Sequence, residues 1–256
     1  MNYIESFILG IIQGLTEFLP ISSSGHLVVA QNFLGVDNDG MLVEVILHLG
    51  TLISILIYYY KDLKKLIIKF IKGYNDTKVS VHCLIIATLP AVIVGFLFRG
   101  IIENTFVPSL VKWMFIITGI FVGLTYFIKV KYDKKMVWKI AIIIGLAQVF
   151  ALLPGISRSG ITISCALLLG INHENAAKFS FYMAIPILVG ATILQLISLD
   201  SYNEVFSGPI FVAFISSTIS GYLVINFLLK IISRGKFYLF SFYCFALSIS
   251  LFFINI

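Results

Sequence analysis

The sequence predicts an all-α polytopic membrane protein: six transmembrane helices plus two re-entrant helical hairpins in an inverted-topology repeat. Three observations carry that expectation. Of 256 residues 59% are hydrophobic and only 12% are charged, too little polar surface to cover a water-soluble globule. Fourteen of the eighteen Lys and Arg residues sit in three short segments between apolar runs. Two further apolar regions are broken by Pro/Ser/Gly clusters that match each other at a shift of 135 residues.

Along the chain, stretches near the twenty residues that span a bilayer as helix occur at about 42–60, 80–98, 110–128, 176–198, 209–229 and 238–256. The loop after the first carries Lys61, Lys64, Lys65, Lys69, Lys72 and Lys78; the loop after the third carries Lys129, Lys131, Lys134, Lys135 and Lys139; Lys230, Arg234 and Lys236 follow the fifth. The positive-inside rule puts all three in the cytoplasm. The other connections, with Asp37 and Asp39, Arg99 and Glu103, Asp200 and Glu204, then face out. The net charge of +6 is thereby explained by topology, and no nucleic-acid partner is indicated.

The two remaining apolar regions, 3–35 and 137–170, are interrupted by "FLPISSSGHL" and "LLPGISRSGIT". Neither can cross as one straight helix. For six spans to satisfy the basic loops, each must leave on the side from which it came, the first from outside and the second from the cytoplasm. Irregular backbone at membrane depth is tolerated only where protein buries it or it lines a wet cavity, so the two tips are expected to meet. At the shift of 135, Gly10, Gln13, Ile21, Ser22, Ser24, Gly25, Leu34 and Gly35 align with Gly145, Gln148, Ile156, Ser157, Ser159, Gly160, Leu169 and Gly170. Eight identities in 26 ungapped positions, three of them Gly, mark an internal repeat. The domain reading is a single membrane domain, 1–256, with halves of about 1–130 and 136–256, and opposite hairpin directions make the halves inverted.

Cys83, Cys165 and Cys244 lie inside apolar runs without CxxC spacing, which indicates packing rather than a disulfide or zinc site. No Lys or Arg precedes Lys61, so a cleaved signal peptide is not expected. Pro90 and Pro186 should kink their spans, and Gly10 and Gly14 should allow close helix packing.

The most expensive residue is Arg158, in the second tip. Such a charge costs roughly 2.5–3.5 kcal/mol at mid-membrane and needs a partner or ligand. A packing-only ion pair with Glu17 would satisfy it. So would an anion, because Arg is a planar donor fork flanked here by Ser157 and Ser159 at a predicted helix N-terminus. Gln13 and Glu17, four apart, share one face of the first short helix; Glu17 can hold a divalent ion or take a proton. Ser22, Ser23, Ser24 and His26 form the first tip, where a hydroxyl and an imidazole can serve as nucleophile and base. Ser22 and Ser24 are equally readable as caps. His48 either lines the cavity or bonds backbone.

The segments "QGLTEFLPISSSGH" and "PGISRSG", with "HLGTL" and "FSFYMAIP", closely resemble the BacA-type undecaprenyl-diphosphatase family, the bacitracin-resistance proteins. The resemblance runs the whole chain. It implies a multi-pass protein of the bacterial plasma membrane that hydrolyses undecaprenyl diphosphate to undecaprenyl phosphate and inorganic phosphate, recycling the carrier for peptidoglycan. The family's (E/Q)xxxE motif falls on Gln13 and Glu17, and PGxSRSxxT on Pro154, Gly155, Ser157, Arg158, Ser159 and Thr162. The implied catalytic residues are Glu17, Ser23, His26 and Arg158. Substrate would be held by Gln13, Ser22, Ser24, Gly25, Gly155, Ser157, Ser159 and Thr162, and Mg2+ or Ca2+ by Glu17. Gln at position 13 leaves one carboxylate in the first motif, which weakens any two-carboxylate metal site. Expected partners are the lipid substrate and membrane lipid, with a homodimer left open, and the site should open to the outer face.

The competing reading is an inverted-repeat transporter or flippase for a polyprenyl phosphate or other anion, which shares broken helices around a midplane site. A phosphohistidine lipid phosphatase is excluded: it needs a His six residues after its last-motif Arg, and position 164 is Ser.

Overall fold

The computed structural model describes residues 1–36, 40–73, 79–128, 134–197 and 207–254. Asp37, Asp39, Lys78, Lys129, Lys131, Asp200 and Glu204, which enter the charge reading, lie outside them. The described residues form α-helices and short 3-10 turns with no strand, as the apolar composition requires.

Helix α1 (Tyr3–Phe18) starts on a capping box, in which the Asn2 side chain accepts from the Ile4 and Glu5 N–H groups and Glu5 reaches back to the Asn2 N–H. It stops at Leu19–Pro20, because a residue before proline is pushed out of the helical region, and Leu19 is extended. Ser22 caps α2 (Ser23–Leu34), which ends on left-handed Gly35. The second broken region follows the same plan: α8 (Trp138–Val149), a short 3-10 turn, then α9 (Arg158–Leu168) capped by Ser157. Both breaks fall on the Pro/Ser/Gly clusters.

The long apolar runs form α3 (Gly40–Tyr58), α5 (Val81–Leu97), α7 (Pro108–Leu124), α10 (His173–Ile197), α11 (Gly208–Ser233) and α12 (Leu239–Phe253). Segments 108–127, 173–194 and 208–233 are long and apolar enough to cross a membrane, and a fourth crossing arises if α3 and the helix after it count as one bent span. The chain is a multi-pass helical membrane protein. Pro90 and Pro186 sit inside α5 and α10.

One expectation is corrected. The lysine-rich segment after the first span is not a loop but α4 (Tyr60–Ile71), bent 76° from α3, with none of its residues buried. No Gly or Pro interrupts it before Gly73, and Lys61, Lys64, Lys65 and Lys69 share one face while Leu63, Leu66, Ile67 and Phe70 share the other, a 3.6-residue pattern that favours helix. A five-residue turn, α6 (Arg99–Glu103), follows α5.

Packing centres on the broken helices. Helix α1 lies against α11, and a Cβ added at Gly10 or Gly14 would fall 1.8 Å from Ser216 Oγ or 1.9 Å from Ser220 Oγ. Helix α8 lies against α5, where a Cβ on Gly145 would fall 2.5 Å from the Ala87 carbonyl oxygen. Helix α3 packs on α10 and α11, and α12 on α7. Phe18, at the end of α1, is buried edge-on against Phe181 of α10 at 5.6 Å. All three cysteines are free, with Cys83 and Cys244 buried.

Candidate active site

The two helix breaks meet inside the protein. A Cβ on Gly25 would stand 2.9 Å from the Gly155 Cα and 2.7 Å from Phe115 Cζ, so only glycine lets the tips approach this closely. Hydrogen bonds cross the contact in both directions. The Gly155 N–H donates to Ser24 Oγ at 3.4 Å, and Ser159 Oγ donates to the Leu19 carbonyl at 3.0 Å. Within each tip, Ser22 Oγ accepts from the Gly25 N–H at 3.2 Å and Ser157 Oγ from the Gly160 N–H at 3.0 Å. Thr118 of α7 ties the second tip down, donating to the Gly155 carbonyl and accepting from the Ser157 N–H, both at 3.0 Å. Ser22 holds φ 67°, a left-handed conformation that costs a serine of order 1–3 kcal/mol and persists where surroundings impose it.

Glu17, in the last turn of α1, is the centre of the polar cluster and is buried. Its Oε1 forms an ion pair with Arg158 Nη2. Its Oε2 accepts from Ser23 Oγ at 2.5 Å and from Gln13 Nε2 at 3.1 Å, and lies 3.8 Å from His48 Nε2. The Glu17–Arg158 ion pair that the sequence allowed is therefore present, but it does not use up the groups involved. Arg158 Nη1 and Gln13 Oε1 are buried with no hydrogen-bond partner among the described residues. A buried donor and a buried acceptor left bare beside a carboxylate are costly, and a phosphate with a cation would satisfy both.

Gln13, Glu17, Ser23 and Arg158 are thus joined by direct contacts, and Ser22, Ser24, Gly25, Gly155, Ser157 and Ser159 build the crossing that holds them. His26 stands apart from Ser23. Its Nδ1 contacts the Ser22 carbonyl at 2.7 Å and its Nε2 the Tyr243 hydroxyl at 2.7 Å, with the two rings stacked at 5.7 Å. The partner of the Ser23 hydroxyl is Glu17, because the end of α1 reaches it while the His26 ring is engaged on both sides. Thr162 also looks elsewhere: its hydroxyl bonds the Arg158 carbonyl at 2.8 Å and Ser180 Oγ at 2.7 Å, one turn below the guanidinium's own residue. His48 does both things open to it, bonding the Glu44 carbonyl at 2.8 Å through Nδ1 and approaching Glu17 through Nε2. Tyr243 and Thr118 carried no signal in the sequence. They lie in ordinary apolar spans, and Tyr243 is 217 residues from the histidine it meets.

No group of three or more His, Cys, Asp or Glu side chains able to hold a metal occurs among the described residues. The oxygens of Glu17, Gln13 and Ser23 are nonetheless the hard donors that Mg2+ and Ca2+ take, and Mg2+ in particular is commonly held by one or two carboxylates plus substrate phosphates. The bare Gln13 Oε1 is the feature that fits such an ion.

Comparison with known proteins identifies the family of the chain. The profile of the family described as bacitracin resistance protein BacA matches residues 6–250. An undecaprenyl-diphosphatase of Geotalea daltonii is 42% identical over 273 residues, covering 100% of this chain and 99% of the relative. One from Carboxydothermus hydrogenoformans is 40% identical, with 98% and 97% covered, and undecaprenyl-diphosphatase 4 of Bacillus cereus is 38% identical, with 97% and 96% covered. With matches of this length spanning both helix breaks and the glutamate–arginine pair between them, the chain belongs to the BacA family of bacitracin-resistance proteins.

Proposed function

We propose that the protein is a membrane phosphatase that hydrolyses undecaprenyl diphosphate, releasing inorganic phosphate and returning undecaprenyl phosphate to envelope polymer synthesis. The observation that carries the site assignment is the half-used Arg158 fork: Nη2 is spent on Glu17, and Nη1 is buried, charged and bare. The terminal phosphate lies on Nη1, with the Ser23 hydroxyl facing phosphorus. Glu17 Oε2 takes the Ser23 proton as the Ser23 Oγ–P bond forms and the bond from phosphorus to the bridging oxygen breaks. Arg158 stabilises the charge that builds on the phosphoryl oxygens, the main demand of phosphoryl transfer. Water then attacks the phosphoserine, its proton passing to His26 Nε2 when the Tyr243 hydroxyl that holds this nitrogen at rest turns aside, and the P–Oγ bond breaks as Ser23 recovers its proton from Glu17, releasing phosphate. A divalent ion held by Glu17 and Gln13 would add Lewis-acid polarisation of the phosphate oxygens.

In the same reading the layout is six spans and two re-entrant hairpins in one domain, with halves of about 1–130 and 136–256 inverted relative to each other. Two facts support the repeat. Residues equivalent under the shift of 135 make equivalent bonds, the Ser22 and Ser157 caps and the crosswise pair from Ser24 and Ser159. The helix pairs α1/α11 and α8/α5 exchange under the same shift, each closed by a repeat-equivalent glycine. The protein resides in the bacterial plasma membrane, with the first hairpin and the site open to the outer face. Full chain purified in detergent with Mg2+ should release phosphate from undecaprenyl diphosphate. Transport of a polyprenyl phosphate into vesicles without phosphate release would instead establish the transporter reading.

A further inference from the structure

Beside the first tip, a groove of about 450 Å³ opens between the first hairpin, α11 and α12. Its walls are apolar: Leu15, Leu19 and Ile21 from the hairpin, Ile231, Leu239 and Phe240 from the other two helices. Leu15 and Leu239 are exposed, so the groove is reached sideways, from lipid. At one end stand Arg234 and Lys236, both exposed, and neither forms an ion pair among the described residues. The other end lies against the tip, because Leu19 gives its carbonyl to Ser159 and Tyr243, which also lines the groove, holds His26.

An apolar channel opening into lipid and ending in two cations with no ion-pair partner among the described residues is complementary to an amphipathic anion. We propose that this groove is a second lipid site, taking a lipid phosphomonoester with its chain along Leu15, Leu19 and Leu239 and its phosphate on Arg234 and Lys236. The charge selects the headgroup. A phosphomonoester carries about −1.5 to −2 at neutral pH, which two cations neutralise, whereas the phosphodiester of an ordinary phospholipid carries one charge. By the positive-inside rule Arg234 and Lys236 face the cytoplasm, opposite the catalytic opening. That the natural occupant is the reaction product rests on the hydrolysis proposed above; the binding itself does not.

The test uses the full chain in detergent and farnesyl phosphate as probe, on an Arg158→Ala background that removes the catalytic anion site. One saturable site should remain. Adding Arg234→Ala with Lys236→Ala should weaken it by at least about tenfold, and so should Leu239→Trp, which obstructs the channel without touching the charge. With Arg158 intact, the Arg234→Ala, Lys236→Ala protein should keep its initial rate of phosphate release. Unchanged affinity in the double variant would overturn the proposal. So would loss on removing the charges but not on Leu239→Trp, which would mean a surface ion contact alone, or equal competition by phosphatidylglycerol, which would mean a general anionic-lipid groove. A wild-type chain that releases no phosphate yet binds farnesyl phosphate at Arg234 and Lys236 sinks the phosphatase reading and keeps the groove.

Discussion

The two hairpin tips are the same piece of architecture carrying different chemistry. Ser22 and Ser157 cap their helices in the same way, Ser24 and Ser159 cross to the opposite tip, and Gly10 and Gly145 seat α1 and α8 against their neighbours. The differences in reactive side chains fall at three positions. Glu17 is matched by Leu152, Ser23 by Arg158 and His26 by Ile161 under the shift of 135. The first tip thus holds the carboxylate, hydroxyl and imidazole, and the second supplies the cation. Ser22 is strained at φ 67° while Ser157 rests at φ −76°. The two irregular tips are buried against each other, as lipid requires, and the proposed reaction lies where their side chains differ. Gln13 and Gln148 show the cost of that divergence. Gln13 bonds Glu17 one turn on, but the residue one turn after Gln148 is Leu152, and both amide atoms of Gln148 are buried without a partner among the described residues.

The comparison breaks most visibly at the ion pair. Glu17→Gln should lower turnover by at least about 10³-fold, as expected for loss of a positioned base. Because it leaves Arg158 buried and uncompensated, thermal stability should fall too, by about 3–5 kcal/mol, so the rate is read per folded molecule. A normal rate on that basis would reduce the pair to packing. Arg158→Lys keeps the charge and loses the fork, and should cost about 10²–10³-fold in kcat with membrane insertion unchanged, as checked by fractionation.

Ser23→Ala sharpens the role of the hydroxyl on Glu17. If Ser23 is the nucleophile, steady-state turnover is abolished and label from radioactive diphosphate is trapped on the wild-type protein after acid quench. Retained turnover would assign the attack to water. A smaller effect is expected of Tyr243→Phe, which removes one hydrogen bond from His26 and keeps the ring stack. A loss of about 3–10-fold in kcat with KM unchanged is the size of one such bond, and an unaltered kcat would separate His26 from the reaction. The smallest effect concerns Gln148, the repeat equivalent of Gln13. Gln148→Leu should stabilise the protein by about 1 kcal/mol through removal of an unpartnered buried amide, whereas Gln13→Leu should destabilise it; thermal unfolding in detergent reads both.

Much of this was legible before any coordinates. Composition alone required a helical membrane protein, since lipid leaves the backbone few other ways to satisfy itself. The Pro/Ser/Gly clusters marked both breaks, because Leu19 and Leu153 precede prolines and Ser22 and Ser157 are caps. Glu17 and Arg158 stood out as charges that a membrane does not carry without reason. Local pattern could have recovered α4 as a helix too, since its lysines and leucines repeat at three and four.

Only the tertiary structure decided which of these groups touch. Ser23 lies closer in sequence to His26 than to Glu17, yet the turn at Ser22 folds its hydroxyl onto the carboxylate and sends the imidazole across to Tyr243 on the last helix. The half-used Arg158 fork, the bare oxygen of Gln13 and the basic end of the groove at Arg234 and Lys236 depend on helices 100 or more residues apart in the chain. Spacing along one helix fixes which side chains share a face. Partners from different helices are set by packing, which a single sequence does not display.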